Sequence, residues 1–204
     1  FELGREFNYI FHLAAIIGVV HVLKRPYDVL AQNTAMLGAV LELGQRQTAL
    51  RRFLFASTSE VYAGTLKEFG LIIPTPEKTA LTVSGLDKPR TTYMLSKIMG
   101  EALCHHAQIP ITIFRPHNVY GPRMGMAHVI PEQLKKAWLA KEDTLIPVYS
   151  PAHSRSFCYI DDAVEILQRM MLCVQAEGET LNLGASGPEI TMSEIAKLCH
   201  KVAG

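Results

Sequence analysis

No sign of charge dominates this sequence: 20 Lys and Arg face 19 Asp and Glu over 204 residues, a formal net charge of +1 at pH 7. Nothing in that balance supports nucleic acid as a partner, and no run of like charge marks a binding tail. Cysteine is sparse, and Cys104, Cys158, Cys173 and Cys199 form neither a CxxC pair nor a metal-ligand spacing, so no metal is expected. All four read as buried free thiols of a reducing, cytoplasmic compartment. The most apolar stretch, Ile10 to Leu23, is too short to span a bilayer and carries His12 and His21, so no membrane segment is expected. No charged segment precedes an apolar run in the manner of a signal peptide. The chain opens at Phe1, directly in a core-like pattern, and reads as starting mid-domain. Repeats and low-complexity tracts are missing too.

What remains is a globular composition, 49% hydrophobic and 19% charged, sized for one domain or a domain with a small lobe. Apolar runs predict strands over Asn8–Leu13, Arg51–Ser57, Pro110–Arg115 and Leu181–Gly184. Between them, apolar residues at helical spacing predict helices over Val29–Gln47, Thr92–Gln108, about Pro131–Lys141 and Thr191–Ala203. Thr191 with Glu194 three residues on is a capping-box signature for the last of these. The stretch from Gly64 to Pro89 reads as a polar, proline-bearing loop. Strands alternating with helices imply an α/β, doubly wound parallel sheet of Rossmann type, with a small C-terminal lobe. Ligands of such sheets bind beyond the carboxyl ends of the strands. The segments HLAA, STSEVY and RPHNVYGP stand at those ends.

Tyr93 and Lys97 lie four apart on a predicted helix and so share a face. An ammonium beside a phenol favours the phenolate, bringing a group of pKa about 10 nearer to use as a general base. Taken alone this spacing is weak, since it arises by chance in many helices. Thr58, just after the second strand, offers a hydroxyl to a reacting alcohol or a plain turn cap. Glu60 is a second acid/base candidate or a solvated loop carboxylate.

Together, FASTSEVY, YMLSK and RPHNVYGPR resemble the extended short-chain dehydrogenase/reductase family, the NAD-dependent epimerases and dehydratases of nucleotide sugars, of UDP-glucose 4-epimerase type. FHLAA at Phe11–Ala15 is similar to the family's fourth strand, and Asn33 stands where a helix asparagine is expected. RSFCYIDDAV at Arg155–Val164 and LNLG at Leu181–Gly184 extend the resemblance over nearly the whole chain. It implies Thr58, Tyr93 and Lys97 as the catalytic set, with Glu60 beside them. It implies a cofactor surface of Leu13, Ala14, Ala15, Ser57, Tyr93, Lys97 and Pro116, with Lys97 on the nicotinamide ribose. Asn118 and Arg155 match positions that contact the diphosphate of a nucleotide sugar; without the resemblance Arg155 would be read as a surface arginine. The cofactor implied is NAD, with NADP left open, and the implied assembly is a homodimer built on the helices near 29–47 and 92–107.

The family's first strand, its GxxGxxG turn and its ribose-reading acid have no counterpart here, and the chain is therefore expected to be a partial product that holds cofactor poorly. Residues 1–120 are expected to belong to the dinucleotide-binding domain. Residues 121–204 are expected to form mainly a substrate lobe, with a late Rossmann strand near 181–184. Three reactions share the scaffold: 4-epimerisation, 4,6-dehydration and uronic acid decarboxylation. Ser59-Glu60, in place of the Asp-Glu pair that dehydratases carry after Thr, demotes dehydration. The Thr-Ser-Glu triplet with Arg155 resembles decarboxylases, whereas AAIIGV and RPHNVYGP resemble epimerases, which are placed first. An inactive NAD-binding module on the same fold would be marked by loss of Tyr93 or Lys97, and both are present.

Overall fold

The buried strands form where the sequence is most continuously apolar. In the computed structural model, which describes residues 4–140 and 146–203, β1 (Tyr9–His12), β2 (Arg52–Ala56) and β3 (Ile111–Pro116) lie side by side. β1 pairs parallel with β2 and β2 parallel with β3, in registers running from Tyr9 opposite Arg52 and Phe53 opposite Ile111. The last strand of this sheet, numbered below, adds beyond β3. These are the predicted strands, shifted by one residue at most ends. Phe1 and Lys141, both named in the sequence reading, lie outside the described residues.

The helices over residues 26–45 and 91–106 cover one face. α1 (Val19–Lys24) is short and was not expected, its VVHVLK being rich in β-branched residues. α2 (Pro26–Gln45) starts with Pro at its first position, where the missing N–H costs nothing. Its buried stripe is Val29, Asn33, Leu37, Leu41 and Gly44, at intervals of one helical turn. Within the stretch expected to be loop, a 3-10 turn at Ser59–Tyr62 leads into α3 (Ala63–Phe69). Gly64 makes that possible: a Cβ there would sit 1.8 Å from the Thr82 carbonyl oxygen, so only glycine lets α3 lie on the 80–82 backbone. Thr65 clasps the same segment, its Oγ1 donating to Ala80 O at 2.6 Å and accepting from Thr82 N at 3.0 Å.

α4 (Thr91–His106) packs against α2 and the sheet. Leu37, Leu41, Phe53, Phe55, Cys104, Ala107, Ile111 and Ile113 make the shared core. Each large apolar side chain buried there contributes on the order of 1.5–3 kcal/mol. Gly100 sets the approach of α4: a Cβ would lie 2.5 Å from Phe55 Cζ and 3.0 Å from Leu37 Cδ2. On the opposite face of β2, buried Arg52 donates to Thr112 Oγ1 (2.9 Å), Cys173 O (3.2 Å) and Met170 O (3.3 Å).

The chain divides into two compact units, residues 1–116 with 167–182 and residues 117–166 with 183–204. In the second, β4 (Asn118–Tyr120) is followed by α5 (Val129–Leu139) and β5 (Ser154–Arg155). β6 (Phe157–Tyr159) pairs parallel with β4. α6 (Ile160–Leu172), another unpredicted helix, runs across the point of division. β7 (Thr180–Leu183) is the fourth strand of the main sheet, giving the order β1-β2-β3-β7. β8 (Ile190–Thr191) pairs antiparallel with β5 and opens into α7 (Met192–Ala203). The predicted capping box is present: Glu194 N donates to Thr191 Oγ1 at 3.2 Å and Thr191 N to Glu194 Oε2 at 2.8 Å. Met192, Ile195 and Cys199 of α7 pack with Val129, Ile130 and Leu134 of α5.

Cys104, Cys158 and Cys199 are buried free thiols; Cys173, expected to be buried as well, is exposed. No helix among the described residues is long and apolar enough to cross a membrane.

Candidate active site

The carboxyl end of β2 delivers Ser57 and Thr58 into a turn. Thr58 is buried and extended, and its hydroxyl accepts from Glu60 N at 3.2 Å, capping the 3-10 turn. That cap is the local reason the chain bends here, and it aims the Thr58 hydroxyl at α4. There it stands near enough to the Tyr93 phenol to favour its ionised form. One helical turn on, Lys97 is 4% exposed. Its ammonium donates to Ala56 O at 2.7 Å, stands 5.8 Å from the Tyr93 ring centroid and lies over the Phe55 ring at 5.1 Å. Thr58, Tyr93 and Lys97 thus meet at the carboxyl end of β2, with the Glu60 charge acting on Tyr93.

The electrostatics differ from the sequence expectation. Burial, and after it the Glu60 carboxylate, push the Tyr93 phenol up to about 12, and only the nearby Thr58 hydroxyl works the other way. Lys97 was expected to lower this pKa, but its ammonium is turned onto the Ala56 carbonyl. Burial in turn brings Lys97 down to about 8. A buried cation and a buried phenol each resist the charged form for the same reason, loss of hydration.

Leu13 is well exposed just beyond β1, and Ala14 and Ala15 follow it with small side chains. Asn33 of α2 pins the next residue, accepting from Ile16 N at 2.7 Å and donating to Ile16 O at 3.1 Å. The same Nδ2 reaches Ser96 Oγ at 3.4 Å, tying this loop to α4. Pro116 closes β3. Ser57, expected on the cofactor surface, turns its hydroxyl inward and donates it to Glu101 Oε1. His12 was not singled out as a site residue. It is buried, stacked 5.9 Å from Phe55, and held below its usual pKa by burial and by Lys97. Its signal in the sequence was its place in FHLAA.

Asn118 and Arg155 belong to the second unit. Asn118 opens β4 and its Nδ2 donates to Ser156 O at 2.9 Å. Arg155, exposed, lies in β5 opposite Ile190. Among the described residues no group of three or more His, Cys, Asp or Glu is placed to hold a metal ion.

A dinucleotide fits the first unit on three observations. Small, accessible Ala14 and Ala15 follow β1, Lys97 uses one of its three donors on Ala56 O, and both stand at carboxyl ends of parallel strands. The parallel sheet, with this ledge at the carboxyl ends of its strands, defines a Rossmann-type protein.

The profile of the NAD dependent epimerase/dehydratase family matches residues 2–184, and the chain belongs to that family, whose members are enzymes. It is 30% identical over 98% of its length to a UDP-N-acetyl-alpha-D-glucosaminuronate decarboxylase of Bacillus cytotoxicus. It is 32% identical over 96% of its length to an uncharacterized UDP-glucose epimerase of Bacillus subtilis. The chain spans 61% and 58% of the length of these two relatives. A solved UDP-glucuronic acid 4-epimerase from Bacillus cereus, in complex with UDP-glucuronic acid and NAD, superposes with a TM-score of 0.78 at 26% identity. That match covers 96% of this chain and 59% of the other.

Proposed function

We propose that the protein epimerises a nucleotide sugar at C4, using NAD, through a transient 4-keto sugar. The convergence of Tyr93 and Lys97 on the carboxyl end of β2, with the Lys97 ammonium 2.7 Å from Ala56 O and 5.8 Å from the Tyr93 ring centroid and the Thr58 hydroxyl near the phenol, carries this reading. Tyr93 as phenolate takes the C4 hydroxyl proton, and Thr58 shares that hydrogen bond. NAD bound there would supply the acceptor, and later the donor, of the C4 hydride. Lys97 holds the nicotinamide ribose with the donors that Ala56 O leaves over. Leu13, Ala14, Ala15 and Pro116 supply the apolar ledge. Ser57 serves through its backbone position, its hydroxyl being committed to Glu101. Asn118 and Arg155 are assigned to the substrate diphosphate, for which an arginine fork is suited. In this reading residues 1–120 serve the dinucleotide and 121–204 mainly the sugar nucleotide, with the strand near 181–184 returning to the sheet. Once the keto sugar has turned over, Tyr93 gives the proton back to the C4 oxygen.

A specific observation favours a second reading, decarboxylation of a uronic acid: the Glu60 charge is directed at Tyr93, and a relative is a decarboxylase. The two are separated by incubating the protein with UDP-hexoses and UDP-uronic acids and identifying the products. An epimer of unchanged mass supports the first reading; loss of carbon dioxide overturns it in favour of the second. Glu60→Gln sharpens the distinction. It should lower the Tyr93 pKa from about 12 in a spectrophotometric titration, because a repelling charge is removed. An epimerase should keep its rate within a few-fold, whereas a decarboxylase using Glu60 as acid/base should lose about 100-fold or more. An unmoved Tyr93 titration would remove Glu60 from the site.

The same reading includes a homodimer. The outer face of α2 and α4 presents Tyr27, Leu30, Ala31, Thr34, Ala35 and Met99 around a shallow apolar depression, with Tyr27 81% exposed. Such a face suits a two-fold, self-complementary contact. Light scattering should return twice the chain mass, and Tyr27→Glu should return the monomer.

A further inference from the structure

Glu101 and Arg115 form a buried ion pair that the proposed chemistry does not use. Arg115 Nε donates to Glu101 Oε1 at 2.9 Å and Arg115 Nη2 to Glu101 Oε2 at 2.6 Å, a two-pronged pair with both side chains under a tenth exposed. Two of the remaining contacts run to elements that deliver site residues. Ser57, the neighbour of Thr58, donates to Glu101. Arg115 Nη1 donates to Tyr62 OH at 2.6 Å, at the end of the turn that carries Glu60, and to Glu77 O at 2.9 Å. Tyr62 OH donates to Asn182 Oδ1 at 2.9 Å, on β7. Asn182 Nδ2 donates to Thr75 O at 2.8 Å, and its backbone N–H to Glu77 Oε1 at 3.1 Å. Glu101 itself is one turn beyond Lys97 and two beyond Tyr93, on the same face of α4.

A buried ion pair is a poor way to gain stability, because well-packed apolar residues of similar volume hold a fold as well or better. What a two-pronged pair supplies is direction: the guanidinium and carboxylate planes admit one relative placement. Here that placement fixes α4 against the carboxyl ends of β2 and β3, which decides whether the Tyr93 phenol reaches the Thr58 hydroxyl.

We propose that Glu101 and Arg115 are positioning residues, whose bridge to Ser57 and Tyr62 holds Thr58, Tyr93 and Lys97 in reacting register. Neither touches the reacting atoms, and the proposal rests on the functional reading above only for its kinetic arm.

The test replaces the pair together, Glu101→Leu with Arg115→Met, so that no charge is left buried without its partner. Glu101→Gln alone serves as a shape-preserving control. Three quantities are measured: the thermal midpoint, amide exchange at residues 57–62, and kcat and KM on the substrate found in the product screen. The expected result for the double variant is a retained midpoint, loss of exchange protection at 57–62, and kcat down about 100-fold, the cost of a misplacement near 1 Å, at unchanged KM. Glu101→Gln, which leaves the Arg115 guanidinium buried without its counter-charge, should have a midpoint below both the parent and the double variant. Unchanged protection at 57–62 would overturn the proposal, and so would lost protection with undiminished kcat. A double variant that fails to fold would also overturn it, since the pair would then be serving stability. If the parent protein turns over no nucleotide sugar, the functional reading fails, and the exchange measurement alone decides whether the pair holds the frame.

Discussion

Replacing Tyr93 by Phe is expected to lower turnover by about 100- to 10,000-fold, the usual contribution of a positioned acid–base group. Phenylalanine keeps the ring beside the Lys97 ammonium and removes only the phenol oxygen near Thr58. The fold should therefore survive, and nucleotide-sugar binding with it, because Asn118 and Arg155 are assigned to the diphosphate. The pH dependence is the sharper readout. Tyr93 is raised to about 12 by burial and by Glu60, so at neutral pH the free group is almost wholly protonated and inactive as a base. The phenolate fraction, and with it the rate of the parent, should rise with pH through the neutral range, while the residual rate of Tyr93→Phe should be flat there. Near-parental activity in Tyr93→Phe, or an identical pH limb in both proteins, would remove Tyr93 as the base and require the mechanism to be rebuilt.

How far the sequence reached depended on how local the determining physics was. Phe53–Phe55 is a short unbroken apolar run and Ile111–Phe114 one interrupted only by Thr112, and the structure buries both as central strands. Thr191 and Glu194 form their capping box because both partners lie within one turn. α3 was hidden because its formation depends on a distant contact: Gly64 is bare so that the 82 carbonyl, eighteen residues on, can approach. α6 was missed although its buried residues, Ala163 and Met170, lie two turns apart; its first residues also complete a family motif and were read only as that. At the site, motif spacing brought Thr58, Tyr93 and Lys97 together on paper, and the structure brings them together in space. The charge balance was not legible. Whether Lys97 lowers the Tyr93 pKa depends on where its ammonium points, and the Ala56 carbonyl that holds it belongs to β2, some forty residues away. Ser57 shows the same limit, since only the tertiary fold reveals Glu101 as the acceptor of its hydroxyl.

Lys97→Met should separate stability from function. In the folded chain the ammonium is buried and its pKa falls from 10.5 to about 8, a penalty on the charged form of roughly 3 kcal/mol. Methionine removes that penalty but leaves Ala56 O without its donor, which costs about 1–3 kcal/mol. The two nearly offset, so the unfolding free energy at pH 7 should change little. The sign of the pH dependence is a separate check. Between about 8 and 10.5 the unfolded chain binds the proton that the folded chain has released, so parental stability rises with pH through that window. Lys97→Met lacks this titration, and the parent should gain on it across the same window. Function should follow a different course. Loss of a charged donor to the ribose, typically worth about 1.5–3 kcal/mol, should weaken NAD binding by roughly 10- to 100-fold. The pH limb of turnover should move little, because the Lys97 ammonium is turned onto Ala56 O and does not lower the Tyr93 pKa. Calorimetric unfolding between pH 7 and 11, paired with NAD titration by fluorescence, reads both. A variant that binds NAD as the parent does would show that Lys97 serves the packing of α4 on Phe55 and does not hold the cofactor.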